Sequence, residues 1–147
     1  MMKERSIGII LFTKENKEIK YLLLYRKPHE NFKESWDFVK GNVEEKESEL
    51  ETLKRELIEE TGISDFNLTK NFKERIKLFY KRDNQTIFKE IIFYLGETKI
   101  KDIKLSYEHD SYKWCNYEEA LQLLTHKNSK NIFKKANERL RSSLLNF

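Results

Sequence analysis

The segment at residues 41–63, GNVEEKESELETLKRELIEETGI, constrains the fold of this 147-residue chain more than any other stretch. Its leucines recur at helical spacing, at Leu50, Leu53 and Leu57. Ser48, followed three residues later by Glu51, is a capping-box signature, and Gly62 supplies the left-handed residue that commonly ends a helix. The segment therefore predicts a helix that begins just after Ser48 and ends before Gly62.

The other face of this helix carries three carboxylates. Glu56, Glu59 and Glu60 stand at positions i, i+3 and i+4, so they are neighbours within one turn. Like charges at this spacing destabilise a helix by about 0.2–0.5 kcal/mol per pair. A divalent cation would offset the repulsion, because carboxylate oxygens suit hard ions such as Mg²⁺ or Mn²⁺. The alternative is an ordinary solvated acidic face, which is common in a chain of which 37% is charged.

Hydrophobic patterning around this helix predicts an α/β protein. Strands are expected at residues 7–14, 19–26, 36–39, 66–81, 87–95 and 111–115, with a turn at 15–17 and a hairpin loop at 82–85. Amphipathic helices are expected at residues 117–124 and 132–145. Strands on both sides of a helix, with further helices at the end, predict an α/β sandwich around a mixed sheet. At this length the sandwich should be a single domain, residues 1–147.

Composition and the lengths of the apolar runs indicate the charge of the substrate, the state of the cysteine and the cellular location. The 29 basic and 25 acidic residues give a net charge of +4, which suits an anionic substrate without demanding a nucleic acid. Cys115 is the only cysteine, so it cannot form an intrachain disulfide and is expected to be a buried thiol. No apolar run reaches the length of a membrane span, and the first one is too short for a signal peptide. We therefore expect no membrane association and a cytoplasmic location.

A solvated acidic face leaves the rest of the 41–63 segment unexplained. Gly41 is followed after five residues by Glu47, and after seven more by the run RELIEETGI at residues 55–63. All nine fixed positions of this spaced pattern match the box of the Nudix hydrolases. With the run IKYLLLYRK and the entry WDFVKG, the chain resembles that family over most of its length. The resemblance implies a Nudix-type α/β/α sandwich around a mixed β-sheet.

The resemblance also implies a metal-dependent hydrolytic site. Mg²⁺, with Mn²⁺ as an alternative, would be held by Gly41, Glu56, Glu59, Glu60 and Glu108. The implied catalytic residues are Glu59, Glu108 and Arg55. Glu108 would come from a distant loop and either complete the metal shell or act as the general base. Arg55 would pair with a box acid such as Glu47. Outside the family context, Glu108 is simply an exposed loop acid.

Two further stretches are similar to one branch of the family, the asymmetrical diadenosine tetraphosphate hydrolases of the animal and archaeal type. These are KEIIFYLGE at residues 89–97 and LSYEHDSYKW at residues 105–114. The similarity implies phosphate contacts from Lys40 and Lys89, and pocket-lining or base-stacking rings at Tyr80, Phe93 and Tyr112. The alternatives are surface charge for the lysines and core packing for the rings. Three positions depart from that branch, which usually has Pro at Val39, His at Asn42 and often His at Ser35.

These features predict an enzyme that splits diadenosine tetraphosphate into ATP and AMP by attack of water on phosphorus. A rival enzymatic function is removal of pyrophosphate or a cap from RNA 5′ ends, or hydrolysis of another nucleoside diphosphate derivative. A third alternative is a Nudix-type protein that binds nucleotides without cleaving them. The intact acidic triad argues against the third, and the sequence shows no continuous basic stripe of the kind that favours RNA. The oligomeric state is left open.

Overall fold

The computed structural model describes residues 2–145, with side chains through Ser143. Eight strands form the sheet: β1 (Met2–Glu15), β2 (Glu18–Arg26), β3 (Ser35–Asp37), β4 (Val39–Asn42), β5 (Asn67–Leu68), β6 (Glu74–Arg82), β7 (Gln85–Glu97) and β8 (Ser111–Cys115). The helices are α1 (Glu49–Thr61), α2 (Tyr117–Leu123) and α3 (Lys127–Leu145). None of the described helices is both long and apolar enough to cross a membrane.

The sheet is mixed because one strand pair is parallel. The main path of the sheet runs β3-β2-β1-β7-β5, while β4 pairs with β1, β6 with β7 and β8 with β2. Strands β1 and β7 run parallel from the Met2–Ile87 pair to the Phe12–Glu97 pair, and the other pairings are antiparallel. A two-residue turn at Asp83 and Asn84 joins β6 to β7, and both residues have the positive φ that tight hairpins require.

Helices cover both faces of the sheet. Alternate residues of β1 point to opposite faces, so the strand contributes to two cores. On one face Ile7, Ile9 and Leu11 pack with Leu53 and Leu57 of α1. On the other face the core joins the sheet to α2 and α3, and its members include Ile10, Phe12, Phe93, Ala120, Phe133 and Ala136. The expected α/β/α sandwich is confirmed.

Most of the predicted strands are confirmed, but the long run at residues 66–81 is not one strand. The chain pairs only briefly at β5, turns through Asn71 with a φ of 61°, and resumes as β6. Both pieces lie on the same side of β7, with β5 against its end and β6 against its beginning. The segment must therefore bend between them. Two elements also begin earlier than expected, β1 at Met2 and α3 at Lys127, because their first residues are polar and carry little apolar pattern.

Candidate active site

The acidic helix begins and ends as its sequence predicts. The Ser48 side chain accepts a hydrogen bond from the Glu51 backbone, and the Glu51 carboxylate accepts one from the Ser48 backbone. Gly62 ends the helix with a φ of 78°. Leu53 and Leu57 anchor α1 on the sheet, and the helix packs beside strand β4, where the Glu56 carboxylate meets Gly41.

Arg55 connects most of the box acids. Its Nε and Nη2 atoms donate to the two oxygens of Glu47 at 2.7 and 3.0 Å, so the predicted pair is confirmed as a two-pronged contact. Its Nη1 atom lies 2.8 Å from Oε1 of Glu56 and 3.3 Å from Oε2 of Glu59. Nη2 also donates to the Asn42 carbonyl at 2.9 Å. This pairing, with a backbone hydrogen bond from Glu44, lowers the pKa of Glu47 to about 2.

The Glu56 carboxylate rests directly on Gly41. A Cβ atom at position 41 would overlap the carboxylate carbon and both of its oxygens, so any larger residue there would displace the Glu56 carboxylate. Burial raises the pKa of Glu56 despite the favourable charge of Arg55, and the neighbouring Glu59 and Glu60 charges raise it further. Glu56 is therefore a buried carboxylate whose negative charge is incompletely neutralised by the protein.

Glu60 is held by the loop that precedes β8. Ser106 Oγ donates to Glu60 Oε2 at 2.9 Å, and His109 Nδ1 lies 2.5 Å from the same oxygen. Burial acts to raise the pKa of Glu60, but the His109 imidazole and Ser106 hydroxyl outweigh it, and the pKa is lower than that of an ordinary glutamate. Glu60 thus remains ionised although it is buried.

Glu108 lies in the same loop and borders the acidic helix face. Arg26, at the end of β2, donates from Nε to the Glu108 carbonyl at 2.9 Å, and its Nη2 lies 3.6 Å from Glu108 Oε2. Asp110 accepts a hydrogen bond from the Lys27 backbone at 2.7 Å, and its own N–H donates to the Tyr25 carbonyl at 2.8 Å. The end of β2 therefore fixes the loop that carries Glu108.

Two lysines on the α2–α3 face of the sheet lie near each other. Lys40 Nζ is 3.0 Å from Asp37 Oδ2, while Asp37 Oδ1 accepts from the Phe38 backbone at 2.8 Å and from Ser129 of α3 at 3.1 Å. Lys89 is half-buried, and no carboxylate lies within 4 Å of its amine among the side chains described. Burial, followed by the charge of Lys40, lowers the pKa of Lys89. An anion placed between these lysines would relieve their repulsion.

The acids and lysines line one cleft with a volume of about 740 Å³, within the usual range for small-molecule sites. Seven predicted site residues border it: Lys40, Gly41, Glu56, Glu59, Glu60, Lys89 and Glu108. Arg55 does not border the cleft but supports its acids from behind. Other residues of the lining include Arg26, Phe32, Asp37, His109, Thr125 and His126.

The expected ring contacts are not in this cleft. Phe93 is fully buried and packs edge-on against Phe38, with ring centroids 6.1 Å apart, so its assignment as a ligand contact is wrong. Tyr80 donates its hydroxyl to Glu4 at 2.6 Å and does not border the cleft. Tyr112 is exposed on the same side of β8 as Trp114, which packs on the α1 core, and it too lies outside the cleft lining.

Sequence reasoning passed over several residues that border the cleft, chiefly Arg26, Phe32 and Asp37. Asp37 and Arg26 lie in the runs WDFVKG and IKYLLLYRK that carry the family resemblance, but their partners Ser129 and Glu108 are distant in sequence. Phe32 did carry a signal, since it is an isolated aromatic residue within an otherwise polar loop. An exposed ring in such a loop is a candidate ligand contact.

Within residues 2–145 the acidic side chains are not grouped in the arrangement of a ready-made metal shell. Arg55 engages Glu56 and Glu59, as described above. The donor set nevertheless fits a hard cation: it is composed of carboxylates, and Glu56 is buried on Gly41 with its charge only partly neutralised.

Comparison with known proteins agrees with this geometry. The NUDIX domain model matches residues 2–136. The chain belongs to the NUDIX domain family. A pig bis(5′-nucleosyl)-tetraphosphatase [asymmetrical] is 34% identical to it, covering 93% of this chain and 95% of the pig protein. The crystal structure of a C. elegans Ap4A hydrolase binary complex superposes with a TM-score of 0.80 at 25% identity, covering 95% of this chain and 98% of that one.

A third relative of this Nudix protein covers less of it. An RNA pyrophosphohydrolase from Bartonella henselae is 38% identical over 71 residues, which is 47% of this chain and 41% of the relative. Nudix hydrolases generally depend on a divalent metal, which accords with the carboxylate donor set of α1.

Proposed function

We propose that this Nudix hydrolase cleaves diadenosine tetraphosphate asymmetrically, into ATP and AMP. The observation that carries the proposal is the 34% identity with the pig tetraphosphatase over almost the full length of both proteins. The cleft supports it chemically, because its lining combines carboxylates that suit a metal with two lysines that suit phosphates, around a space large enough for a small-molecule ligand. A cytoplasmic location stays a prediction.

We propose Mg²⁺ as the metal, with Mn²⁺ as the alternative. Its ligands would come from the Gly41 carbonyl and from the carboxylates Glu56, Glu59, Glu60 and Glu108. When bound, such ions neutralise phosphate charge and lower the pKa of a coordinated water, which makes it a nucleophile at neutral pH. Arg55 keeps Glu56 and Glu59 on the cleft side of α1, which limits their freedom before a ligand arrives.

The remaining residues of the cleft would bind the phosphates or accept a proton. Lys40 and Lys89 would contact the phosphate chain, with the Lys40 amine held by its ion pair with Asp37. Glu108 or Glu59 would accept the proton that the attacking water loses. Glu56, Glu59 and Glu60 lie on one helix, so a metal held there would position water against one phosphate at one end of an otherwise symmetric ligand. Asymmetric products follow from that one-sided arrangement.

Product analysis in ¹⁸O-labelled water tests this proposal. The purified protein, with Mg²⁺ and diadenosine tetraphosphate, should yield ATP and AMP with the label in only one of the two products. The kcat/KM for diadenosine tetraphosphate should also exceed that for ADP-ribose. Two molecules of ADP as the main product, or a preference for ADP-ribose, would refute the proposed substrate while leaving the family membership intact.

Hydrolysis of RNA 5′ ends is the second candidate, and the Bartonella relative is the observation that favours it. The same acids and lysines would serve any nucleoside polyphosphate end. Parallel assays with triphosphorylated RNA separate the two functions. A higher kcat/KM on the RNA than on diadenosine tetraphosphate would establish this second function instead. A protein that binds both ligands but cleaves neither would be a nucleotide-binding member of the family.

A further inference from the structure

One exposed aromatic residue does border the cleft, although sequence reasoning did not select it. Phe32 lies in the loop between β2 and β3 and is 60% exposed to solvent. The other phenylalanine of the cleft lining, Phe38, is only 2% exposed because it belongs to the core. Among the Phe, Tyr and Trp residues of the described chain, Phe32 is therefore the one whose exposed ring borders this cleft.

The loop holds this ring in a defined position. Phe32 and His29 exchange two backbone hydrogen bonds, of 2.8 and 3.1 Å, around a turn in which Glu30 has a φ of 46°. The two rings are stacked, with centroids 5.2 Å apart and planes inclined by 24°. His29 borders a smaller groove beside the main cleft, so the stacked pair stands between the two depressions. The backbone hydrogen bonds and the ring stacking with His29 therefore keep the apolar Phe32 ring exposed to solvent in a fixed place.

We propose that Phe32 is the base-stacking residue of the substrate site, with His29 supporting its ring from behind. The inference rests on the proposed hydrolysis of a nucleoside polyphosphate. Lys40 and Lys89 account for the phosphates, and the acids account for the metal, but none of these groups recognises a base. A purine presents a flat π-face to an exposed ring, and such stacking tolerates different bases. Phe32 would supply this contact.

The test compares four purified proteins on diadenosine tetraphosphate: the wild type, Phe32→Ala, Phe32→Tyr and Phe79→Ala. Phe79 is a matched control because it is 64% exposed on β6 and does not border the cleft. Phe32→Ala should raise KM by about tenfold, the ratio that corresponds to about 1.4 kcal/mol of lost stacking, with kcat changed less than threefold. Phe32→Tyr keeps the ring and should stay within about threefold of wild type. Phe79→Ala should match wild type.

A base-free probe separates stacking from general damage to the cleft. Inorganic tetraphosphate should inhibit the wild type and Phe32→Ala with the same inhibition constant, because its contacts are to the lysines and the metal. An unchanged KM in Phe32→Ala, or an equal loss of tetraphosphate inhibition, would overturn the role of Phe32. A wild-type protein that fails to cleave diadenosine tetraphosphate would instead overturn the proposed function, so the two failures are distinguishable.

Discussion

The carboxylates that α1 presents to the cleft differ in their surroundings although they lie within one turn. Glu60 accepts a hydrogen bond from Ser106, lies against His109 and has a lowered pKa, whereas Glu56 is buried against Gly41 with a raised pKa. The two acids therefore enter the site with different affinities for protons and cations. At this scale the site depends on single atoms, and the absent Cβ of Gly41 is the clearest example.

The Gly41→Ala variant should lose turnover by about 10²-fold or more. Its new methyl group would displace the Glu56 carboxylate, and a shift of about 1 Å at a reacting site reduces rates by that order. Initial rates at saturating Mg²⁺, together with the melting temperature, check the prediction. Glu45→Ala, a change at an exposed position of the same loop, is the control and should keep wild-type turnover. Wild-type turnover in Gly41→Ala would show that the Glu56 position is unimportant.

The Glu60→Gln variant should also fall in turnover by roughly 10²-fold. The amide keeps the size of the side chain and can still accept the Ser106 hydrogen bond, but it removes a charged ligand. The measurement is kcat over a range of Mg²⁺ concentrations, with the exposed α3 residue Glu138→Gln as the control. If excess Mg²⁺ restores full wild-type kcat, Glu60 contributes to metal affinity and has no further part in catalysis.

At the scale of elements, α1 is specified almost entirely by local signals. The Ser48–Glu51 pair caps its beginning, Gly62 ends it, and Leu53 and Leu57 orient it on the sheet, whereas Leu50 of the predicted stripe is 44% exposed. Each of these operates within a few residues, so each was visible in the sequence. The helix that presents the acids should therefore respond to changes in its cap.

The Ser48→Ala variant should lower the free energy of unfolding by about 1 kcal/mol. It removes the side-chain acceptor for the Glu51 N–H at the start of α1. Urea denaturation followed by circular dichroism measures the change, and the midpoint should shift while the slope stays constant. Ser142→Ala, exposed in α3, serves as the comparison and should shift the midpoint much less. Equal effects in both variants would contradict a capping role for Ser48.

What the sequence could not predict depends on pairing between distant segments. In β7 the consecutive residues Ile91, Ile92 and Phe93 are all buried, because helices cover both faces of the sheet. Because buried and exposed residues do not alternate here, the sequence does not show which side chains of β7 could face a ligand. The assignment of Phe93 as a ligand contact was therefore wrong. The contact of Arg26 with Glu108 spans 82 residues and leaves no local trace. The box acids were predictable because their spacing is itself the signal, while the aromatic surface of the cleft was not.

At the scale of the whole molecule, two cores share one sheet. Cys115 lies in the core between the sheet and the α2–α3 layer, opposite Tyr21 of β2, and is fully buried as its composition-based assignment predicted. Burial, with a smaller contribution from the charge of Glu119, raises the pKa of its thiol to about 12. Solvent reaches this thiol only when the helix layer and the sheet separate.

Cys115 should therefore report global unfolding. The folded protein should react negligibly with an aromatic disulfide reagent at pH 8, since both access and thiolate formation are suppressed. In denaturant the same reagent should titrate one thiol per chain, the single cysteine of the sequence. The test follows reagent absorbance with and without guanidinium. Rapid modification of the folded protein would mean that the α2–α3 layer opens locally.

The parallel pairing of β1 with β7 has a consequence for synthesis on the ribosome. The partner of Met2 is Ile87, so the first strand leaves the exit tunnel long before its long parallel neighbour exists. The nascent chain can pair β1 early with β2, from Phe12 opposite Tyr21 onward, and with β4, from Ser6 opposite Asn42 to Ile9 opposite Val39, because both strands emerge well before β7. The edge of β1 that pairs with β7 stays open meanwhile, and an unpaired strand edge of this kind favours association between incompletely synthesised chains.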